Sequence, residues 1–472
     1  MNKDSATTAA PSGESLIALL RAELGPLGLL ADKDIPVRNE KDWSSLGPVR
    51  PLAVARPISA EEVSAVMRLC RRFGVPVVPQ GGLTGLCGGA RPIEGCIALS
   101  LERMVGIEEI DAAAATITVR AGTPLQAVQK AADDADFFMP LDLGARGSCA
   151  IGGNLSTNAG GNRVIRYGMA REMVLGLEVV LPDGTIVRNL NKMLKNNAGY
   201  DLKQLFFGSE GTLGVITRAV LRLFPKPGCT MAALCALPSY EATVQFLGAA
   251  RKGLGPLLSA FEVMWLDYWR VATERVAGVR NPIGGEYPFY VLVEAQGMEE
   301  AIDAPRFEAW LERQAEAGFI ADAAVSRSLA DVQSFWRVRD AAAEFINVLG
   351  PHEAFDIGLP VAAMDDYVHA CKAALSAKLP GAVALFYGHI GDGNLHIVAC
   401  LPGAAEQPKR TIQDIVYDTV RAFGGTISAE HGIGLTKKPW LSYARGEAEL
   451  DLMRRIKAAL DPDGVLNPGK VL

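Results

Sequence analysis

The sequence predicts an α+β protein with more than one core, on three observations. Short β-branched runs alternate with glycine clusters from Pro51 to about Pro227, a helical, alanine-rich pattern dominates from about Gly228 to Leu379, and turn signals between apolar runs predict hairpins in both halves. At 472 residues and 49% hydrophobic content the chain is long enough to bury several cores, and length alone suggests about three domains.

The elements follow in chain order. The first dozen residues are polar, rich in Ser, Thr and Ala, and read as a disordered lead. Ala60 to Phe73 has helical periodicity, with Ser59 as N-cap and Glu61 and Glu62 in the first turn. Val75 to Pro79 reads as a strand that runs directly into glycines. Ala112 to Ala121 reads as a strand and Pro124 to Ala132 as a helix. Leu175 to Val180 and Thr185 to Arg188 form a hairpin around Pro182-Asp183-Gly184, and Val215 to Phe224 is strand-like. In the second half, Val383 to Tyr387 and Leu395 to Ala399 flank a Gly391-Asp392-Gly393 turn, a further hairpin.

Composition excludes several classes. A formal charge of -6, from 47 basic and 53 acidic residues, supplies no strong attraction to nucleic acid or an anionic membrane. The eight cysteines contain no Cys-x-x-Cys and lie mostly in apolar stretches, so reduced, buried thiols are expected rather than disulfides, a zinc ribbon or an iron-sulfur cluster. The apolar stretch from Leu16 is broken by Arg21 and Glu23, unlike a signal-peptide core, and no window approaches a membrane span. These features predict a cytoplasmic enzyme.

Three of the five histidines fall in two short motifs, Gly-His-Ile-Gly-Asp-Gly-Asn-Leu-His at 388–396 and Ala-Glu-His-Gly at 429–432. A hairpin brings His389 and His396 together. With Glu430 they make a two-histidine, one-carboxylate set that leaves coordination positions open, as catalytic metal sites do. Two alternatives stand: hairpin histidines that only cap backbone groups, and His431 as a ligand in place of Glu430.

Glycine clusters carry the second chemical signal. Pro79 to Gly89 can turn successive backbone N–H groups into an anion-binding nest suited to a pyrophosphate, with Thr84 adding a hydroxyl. The spacing matches neither the dinucleotide fingerprint nor the P-loop. A second cluster, Gly144 to Ser148 and Gly152 to Gly161, and a third, Phe207 to Gly214, imply an extended, flat cofactor.

Six ordered motifs, Pro79–Gly89, Gly152–Gly161, Gly208–Ile216, Gly388–His396, Ser428–Gly434 and Leu460–Pro468, together resemble the FAD-linked oxidases of the vanillyl-alcohol oxidase superfamily, in the branch of the D-lactate and D-2-hydroxyglutarate dehydrogenases. The resemblance implies a lead and helix over 1–44, a two-subdomain FAD-binding domain over 45–227, an α+β substrate (cap) domain over 228–425 and a C-terminal segment over 426–472 that completes the active site. It assigns FAD contacts to Pro79, Gln80, Gly81, Gly82, Leu83, Thr84, Gly85 and Gly88 in the first cluster. The second contributes Gly144, Ser148, Gly152, Gly153, Asn154, Thr157, Asn158, Ala159 and Gly161, the third Glu210, Gly211, Gly214 and Ile216, and the C-terminal motif Asn467. No histidine lies in the first loop, where covalent members of the superfamily often attach the flavin, so non-covalent FAD is expected.

The same resemblance implies oxidation of a D-2-hydroxy acid to the 2-oxo acid with hydride passing to flavin N5. His389, His396 and Glu430 become ligands of a divalent metal, zinc first and manganese or iron next; His431 becomes the base, and Asn394 orients the substrate. Arg339, with Arg337 as the alternative, becomes the partner of the substrate carboxylate. D-2-hydroxyglutarate dehydrogenases place a threonine shortly after this arginine and a lysine in the following strand; the corresponding positions here are Ala343 and Ala354, which favours a smaller or more apolar substrate side chain. Without a haem, iron-sulfur or nicotinamide motif, the flavin is expected to pass electrons to an external electron-transfer protein, quinone or cytochrome. The alternatives are another alcohol or lactone oxidase on this scaffold, and a flavin-binding accessory subunit of an oxidase.

Overall fold

The computed structural model describes residues 13–404 and 406–472, and the polar lead read from the first dozen residues lies outside them. The chain divides into two compact units. The first runs to Ala159, resumes over Ala170–Phe224 and ends with His431–Leu472; the second joins Gly160–Met169 to Pro225–Glu430. The ten residues 160–169, inside the span expected to bind FAD, thus belong to the second unit, as do residues 426–430.

In the first unit the helix Ala60–Phe73 starts where its cap dictates, the Ser59 side chain accepting the Glu62 N–H at 3.1 Å, and buries Val63, Val66, Met67 and Cys70. It leads into the strand Val77–Gln80, an edge of a four-stranded sheet with Ile97–Ser100, Ala53–Ala55 and Leu29–Ala31 as its successive neighbours. The chain end reinforces this edge: Val77 N–H donates to Val465 O and Asn467 N–H to Val77 O, both at 2.8 Å.

A five-stranded antiparallel sheet follows, in the order Ile107–Asp111, Thr116–Arg120, Val215–Arg222, Val174–Val180, Ile186–Asn189. The strand expected over 112–121 is shorter than predicted. Ala112 to Ala115 instead form a turn, with Asp111 Oδ1 accepting the Ala114 N–H, because four alanines offer no β-branched surface to pair while an Asx turn satisfies the backbone. The helix expected over 124–132 spans Leu125–Asp134.

The second unit is built on a seven-stranded antiparallel sheet, in the order Asp322–Val325, Cys229–Leu237, Phe289–Gly297, Leu258–Trp265, Val383–Gly388, Asn394–Cys400, Glu353–Gly358. This corrects the helical reading of 228–379. The helices are there, including Tyr240–Leu254, Glu300–Glu316, Leu329–Arg339 and Met364–Lys378, but strands lie between them. Every residue of Leu258–Trp265 and Phe289–Gly297 is buried, so these strands carry no apolar-polar alternation to mark them. The helix Leu329–Arg339 packs Val332, Phe335 and Val338 against a core that includes Ala232, Leu234, Tyr290 and Leu292. Trp269 stacks on Tyr290 with ring centroids 3.8 Å apart and planes within 2°, a contact worth about 0.5–1.5 kcal/mol beyond its area.

Candidate active site

In the second unit, the hairpin Val383–Gly388 and Asn394–Cys400 pairs Tyr387 with His396 and closes through a single helical turn, Ile390–Asp392. Gly393 completes the turn at φ +87°, a conformation that suits glycine. The fold of the loop brings the His389 and His396 rings to 5.2 Å, nearly perpendicular. Glu430 reaches the same place from a different part of the chain. Gly358 and Thr426 exchange backbone hydrogen bonds at 2.9 and 2.8 Å, and the buried Asp356 carboxylate then accepts the Glu430 N–H at 2.9 Å. Asp356 also accepts from Asn394 Nδ2 at 2.8 Å, so one carboxylate ties the histidine hairpin to the glutamate segment. One donor atom each from His389, His396 and Glu430 lie within 4.8 Å of one another.

Glu262, which sequence reasoning missed, anchors this cluster from behind. Its carboxylate, 1% exposed in the middle of Leu258–Trp265, takes His389 Nδ1 at 2.5 Å on one oxygen and Arg339 Nε at 2.8 Å on the other. Burial pushes the Glu262 pKa up, but His389 and Arg339 hold it down at about 2, so the group is a carboxylate at neutral pH. Burial alone would make His389 less basic, and Glu262 reverses that. A carboxylate on Nδ1 orients the ring and makes it more basic, as it does for metal-binding imidazoles, and Nε2 is the nitrogen left to hold a cation. Arg339 Nη2 lies 2.8 Å from that nitrogen and Nη1 lies 3.2 Å from Asp340. The donor chemistry, the shared carboxylate behind His389 and the close set of atoms all fit a divalent cation.

Asn394 is buried beside His389 and His396; both hydrogens of its amide are engaged, by Asp356 and Ile357 O, while its Oδ1 has no partner. Gly161, expected at the flavin, also meets Glu430. Its N–H donates to Glu430 Oε1 at 2.7 Å, and a Cβ on the neighbouring Gly160 would lie 2.5 Å from that oxygen, so this pair of glycines makes room for Glu430. Ala343 and Ala354 are exposed, in the turn after Arg339 and in the strand Glu353–Gly358.

In the first unit the glycine loops converge. A Cβ on Gly82 would lie 2.0 Å from Ser148 O and one on Gly81 3.7 Å from Gly153, which puts Pro79–Gly85 against the stretch 148–153. Leu83 takes φ +62°, in the left-handed region that few side chains adopt. Gly211 lies over Pro79, and Glu210 N–H donates to Ser156 O at 2.9 Å, which adds the third cluster. Asn467 donates from Nδ2 to Glu210 O and Gly89 O, and its buried Oδ1 has no partner. Loops of backbone that approach one another as closely as Gly82 does Ser148, with the Asn467 amide oxygen unbonded among the described residues, fit an extended flavin nucleotide.

Several other members of the predicted set sit at the same loops. Gln80 is buried, and its amide bonds Asn39 and Ala90 O. Thr84, Gly85 and Gly88 continue the first loop, and Gly144 precedes the second. Asn154 and Thr157 belong to the short helix Ile151–Ser156 and its end, Asn158 Oδ1 accepts the Arg171 N–H, and Ala159 closes the segment. Gly152 and Gly214 have packing reasons for lacking a Cβ, against Ala121 and against Val179 and Phe206, and Ile216 is a core residue of Val215–Arg222. Glu210 has a further role: its buried carboxylate accepts the N–H groups of Ile433 at 2.6 Å and Gly434 at 2.9 Å, and so holds the segment after His431. Burial raises its pKa and those two N–H groups oppose the rise.

Comparison with known proteins agrees with this reading of the fold. Residues 226–471 match the family "FAD linked oxidases, C-terminal domain" and residues 51–189 match "FAD binding domain". The chain is 41% identical over 438 residues to a D-2-hydroxyglutarate dehydrogenase of Xanthomonas citri pv. viticola, covering 91% of each chain. It is 39% identical over 417 residues to the mitochondrial D-2-hydroxyglutarate dehydrogenase of Bos taurus, 88% of this chain and 76% of that one. It is also 35% identical to a putative mitochondrial D-lactate dehydrogenase of Schizosaccharomyces pombe, covering 91% of this chain and 83% of that one. Among solved structures, the 4-ethylphenol oxidase of Gulosibacter chungangensis superimposes with a TM-score of 0.75 at 18% identity, over 98% of this chain and 97% of that one.

Proposed function

We propose, from the premise that the chain belongs to the FAD-linked oxidases and is an FAD-dependent hydroxy-acid dehydrogenase, that it oxidises a D-2-hydroxy acid at a divalent cation held by His389, His396 and Glu430. The observation that carries this reading is the set of three converging donors with Glu262 behind His389. FAD, bound without a covalent link by the converging glycine loops, supplies the two-electron acceptor. The cation, zinc in the first instance, supplies a Lewis acid that makes the substrate hydroxyl more acidic.

The protein's own residues do the rest. Arg339 is anchored through Nε to Glu262 and has Nη2 against His389 and Nη1 against Asp340; the substrate carboxylate takes over an Nη contact, charge-assisted and fixed in direction. Asn394, its amide hydrogens held by Asp356 and Ile357 O, offers Oδ1 to the substrate hydroxyl. His431, next in sequence to the ligand Glu430, takes the hydroxyl proton, and Glu210 steadies the two residues that follow it but one. An external acceptor, whether electron-transfer protein, quinone or cytochrome, then reoxidises the enzyme. No helix among the described residues is long and apolar enough to cross a membrane, and the eight cysteines carry free thiols, which supports a reducing, cytoplasmic setting.

Relatives named D-2-hydroxyglutarate dehydrogenase favour that acid as substrate, whereas Ala343 and Ala354 favour D-lactate or an apolar D-2-hydroxy acid. A panel of D- and L-2-hydroxy acids mixed anaerobically with the enzyme separates these. The D-acids should bleach the flavin, with D-lactate or longer apolar acids at least as efficient as D-2-hydroxyglutarate, and L-acids should be inert. A strong preference for D-2-hydroxyglutarate would refute the argument from the two alanines, and bleaching by neither enantiomer of any acid would refute the reaction.

A further inference from the structure

The ring of Tyr387 lies beside both the proposed carboxylate partner, Arg339, and the proposed metal ligand His396. Its strand pairs it with His396, whose imidazole centroid is 5.1 Å from the phenol ring; the Arg339 guanidinium lies 5.5 Å from the ring on another side. Tyr268 fixes the ring from a third direction, at 4.6 Å, and donates its own hydroxyl to Arg339 O, so that tyrosine and arginine are held in one frame. Nothing comparable holds the Tyr387 hydroxyl. Tyr268 bonds backbone carbonyls, Tyr240 bonds Val361 O and Tyr367 bonds Val416 O, whereas the hydroxyl of Tyr387 makes no hydrogen bond to any described residue. Tyrosines that are largely buried normally find such a partner. A phenol keeps its proton at neutral pH and can donate it in a hydrogen bond.

Arg339 Nη2 reaches His389 Nε2 directly, at 2.8 Å, and the Tyr387 ring flanks both Arg339 and His396, so a molecule bound at this cluster borders the ring. We propose that Tyr387 is a specificity-determining residue for the substrate, its hydroxyl donating to the α-carboxylate that Arg339 also holds. This rests on the reading of the site given above. The pair then selects for a planar anion next to the reacting carbon whatever the rest of the side chain, because a phenol donor and a guanidinium together satisfy both carboxylate oxygens. Since the hydroxyl bonds nothing among the described residues, its removal leaves their hydrogen bonds intact, and a Phe ring preserves the contacts with His396, Arg339 and Tyr268.

The test is Tyr387→Phe in the FAD- and metal-loaded enzyme, with binding of the corresponding 2-oxo acid measured by calorimetry alongside anaerobic flavin reduction. Loss of one hydrogen bond to a charged group predicts 2-oxo acid binding weaker by about 10- to 100-fold, with KM rising in parallel and the limiting reduction rate changed far less. FAD content, metal content and melting temperature should match the parent enzyme. Equal binding and equal KM in parent and variant would overturn the role of Tyr387 while leaving the reaction standing. A parent enzyme that neither binds 2-oxo acids nor is reduced by 2-hydroxy acids would overturn the reading of the site and this inference with it.

Discussion

Glu262→Gln isolates the least visible part of the site. The parent carboxylate is 1% exposed and receives His389 on one oxygen and Arg339 on the other, both as donors. Glutamine has the same shape but only one oxygen, and its NH2 must face one of the two donors. If it faces Arg339, two donors oppose each other in a buried space, and the guanidinium, whose side chain is only 12% exposed, loses its buried counter-charge and keeps only the more exposed Asp340. Stranding one partner of a buried ion pair costs about 3–5 kcal/mol. If it faces His389, Nδ1 must become an acceptor, the proton moves to Nε2, and the nitrogen turned toward the cluster loses its lone pair. Removing an outer carboxylate of this kind typically weakens metal binding about 10- to 100-fold. The assay is competitive metal titration against a chelator, paired with a thermal melt at neutral pH. Weaker metal binding together with a lower melting temperature is expected. A variant that binds metal and melts like its parent would refute the idea that Glu262 supports the site.

Three further outcomes follow from the site residues. Purified protein should be yellow and should release FAD into the supernatant on acid or heat denaturation; flavin retained in the pellet would contradict non-covalent binding. His431→Asn should slow flavin reduction by substrate roughly 100-fold or more while FAD and metal are retained, the scale of losing a positioned general base. An unchanged rate would remove His431 from the chemistry. Arg339→Ala should raise the substrate KM strongly and, because Glu262 is then left with His389 alone, should also lower the melting temperature; a variant with parental KM would assign the carboxylate to another residue.

Much of this site is legible in the sequence because its parts are local. The Gly391-Asp392-Gly393 turn sets the hairpin that brings His389 to His396, and glycine clusters mark loops whose backbones must approach something closely. Glu262 is not legible in that way. Its partners His389 and Arg339 lie 127 and 77 residues along the chain, and only the oddity of one carboxylate in the apolar run Leu258–Trp265 signals it. Asp356, in the apolar setting of Phe355 and Ile357, carries the same signal and the same concealment. Gly160 and Gly161 carry a second role that the local motif does not signal: their lack of side chains makes room for Glu430, which lies 269 residues beyond Gly161 along the chain. The strands of the second unit were hidden because full burial erases period-two patterning, and alanine within them, as in Ala232 and Ala233, suggests helix.

The proposed reaction requires a cation held by His389, His396 and Glu430. The direct measurement is anaerobic stopped-flow flavin reduction by a D-2-hydroxy acid, made on enzyme as purified, after metal removal by chelation, and after metal is restored, with FAD content checked each time. Reduction should be fast in the first sample, abolished in the second and recovered in the third, and His396→Ala should behave as the second sample does even with metal added. Full-rate reduction by demonstrably metal-free, FAD-replete enzyme would contradict the claim.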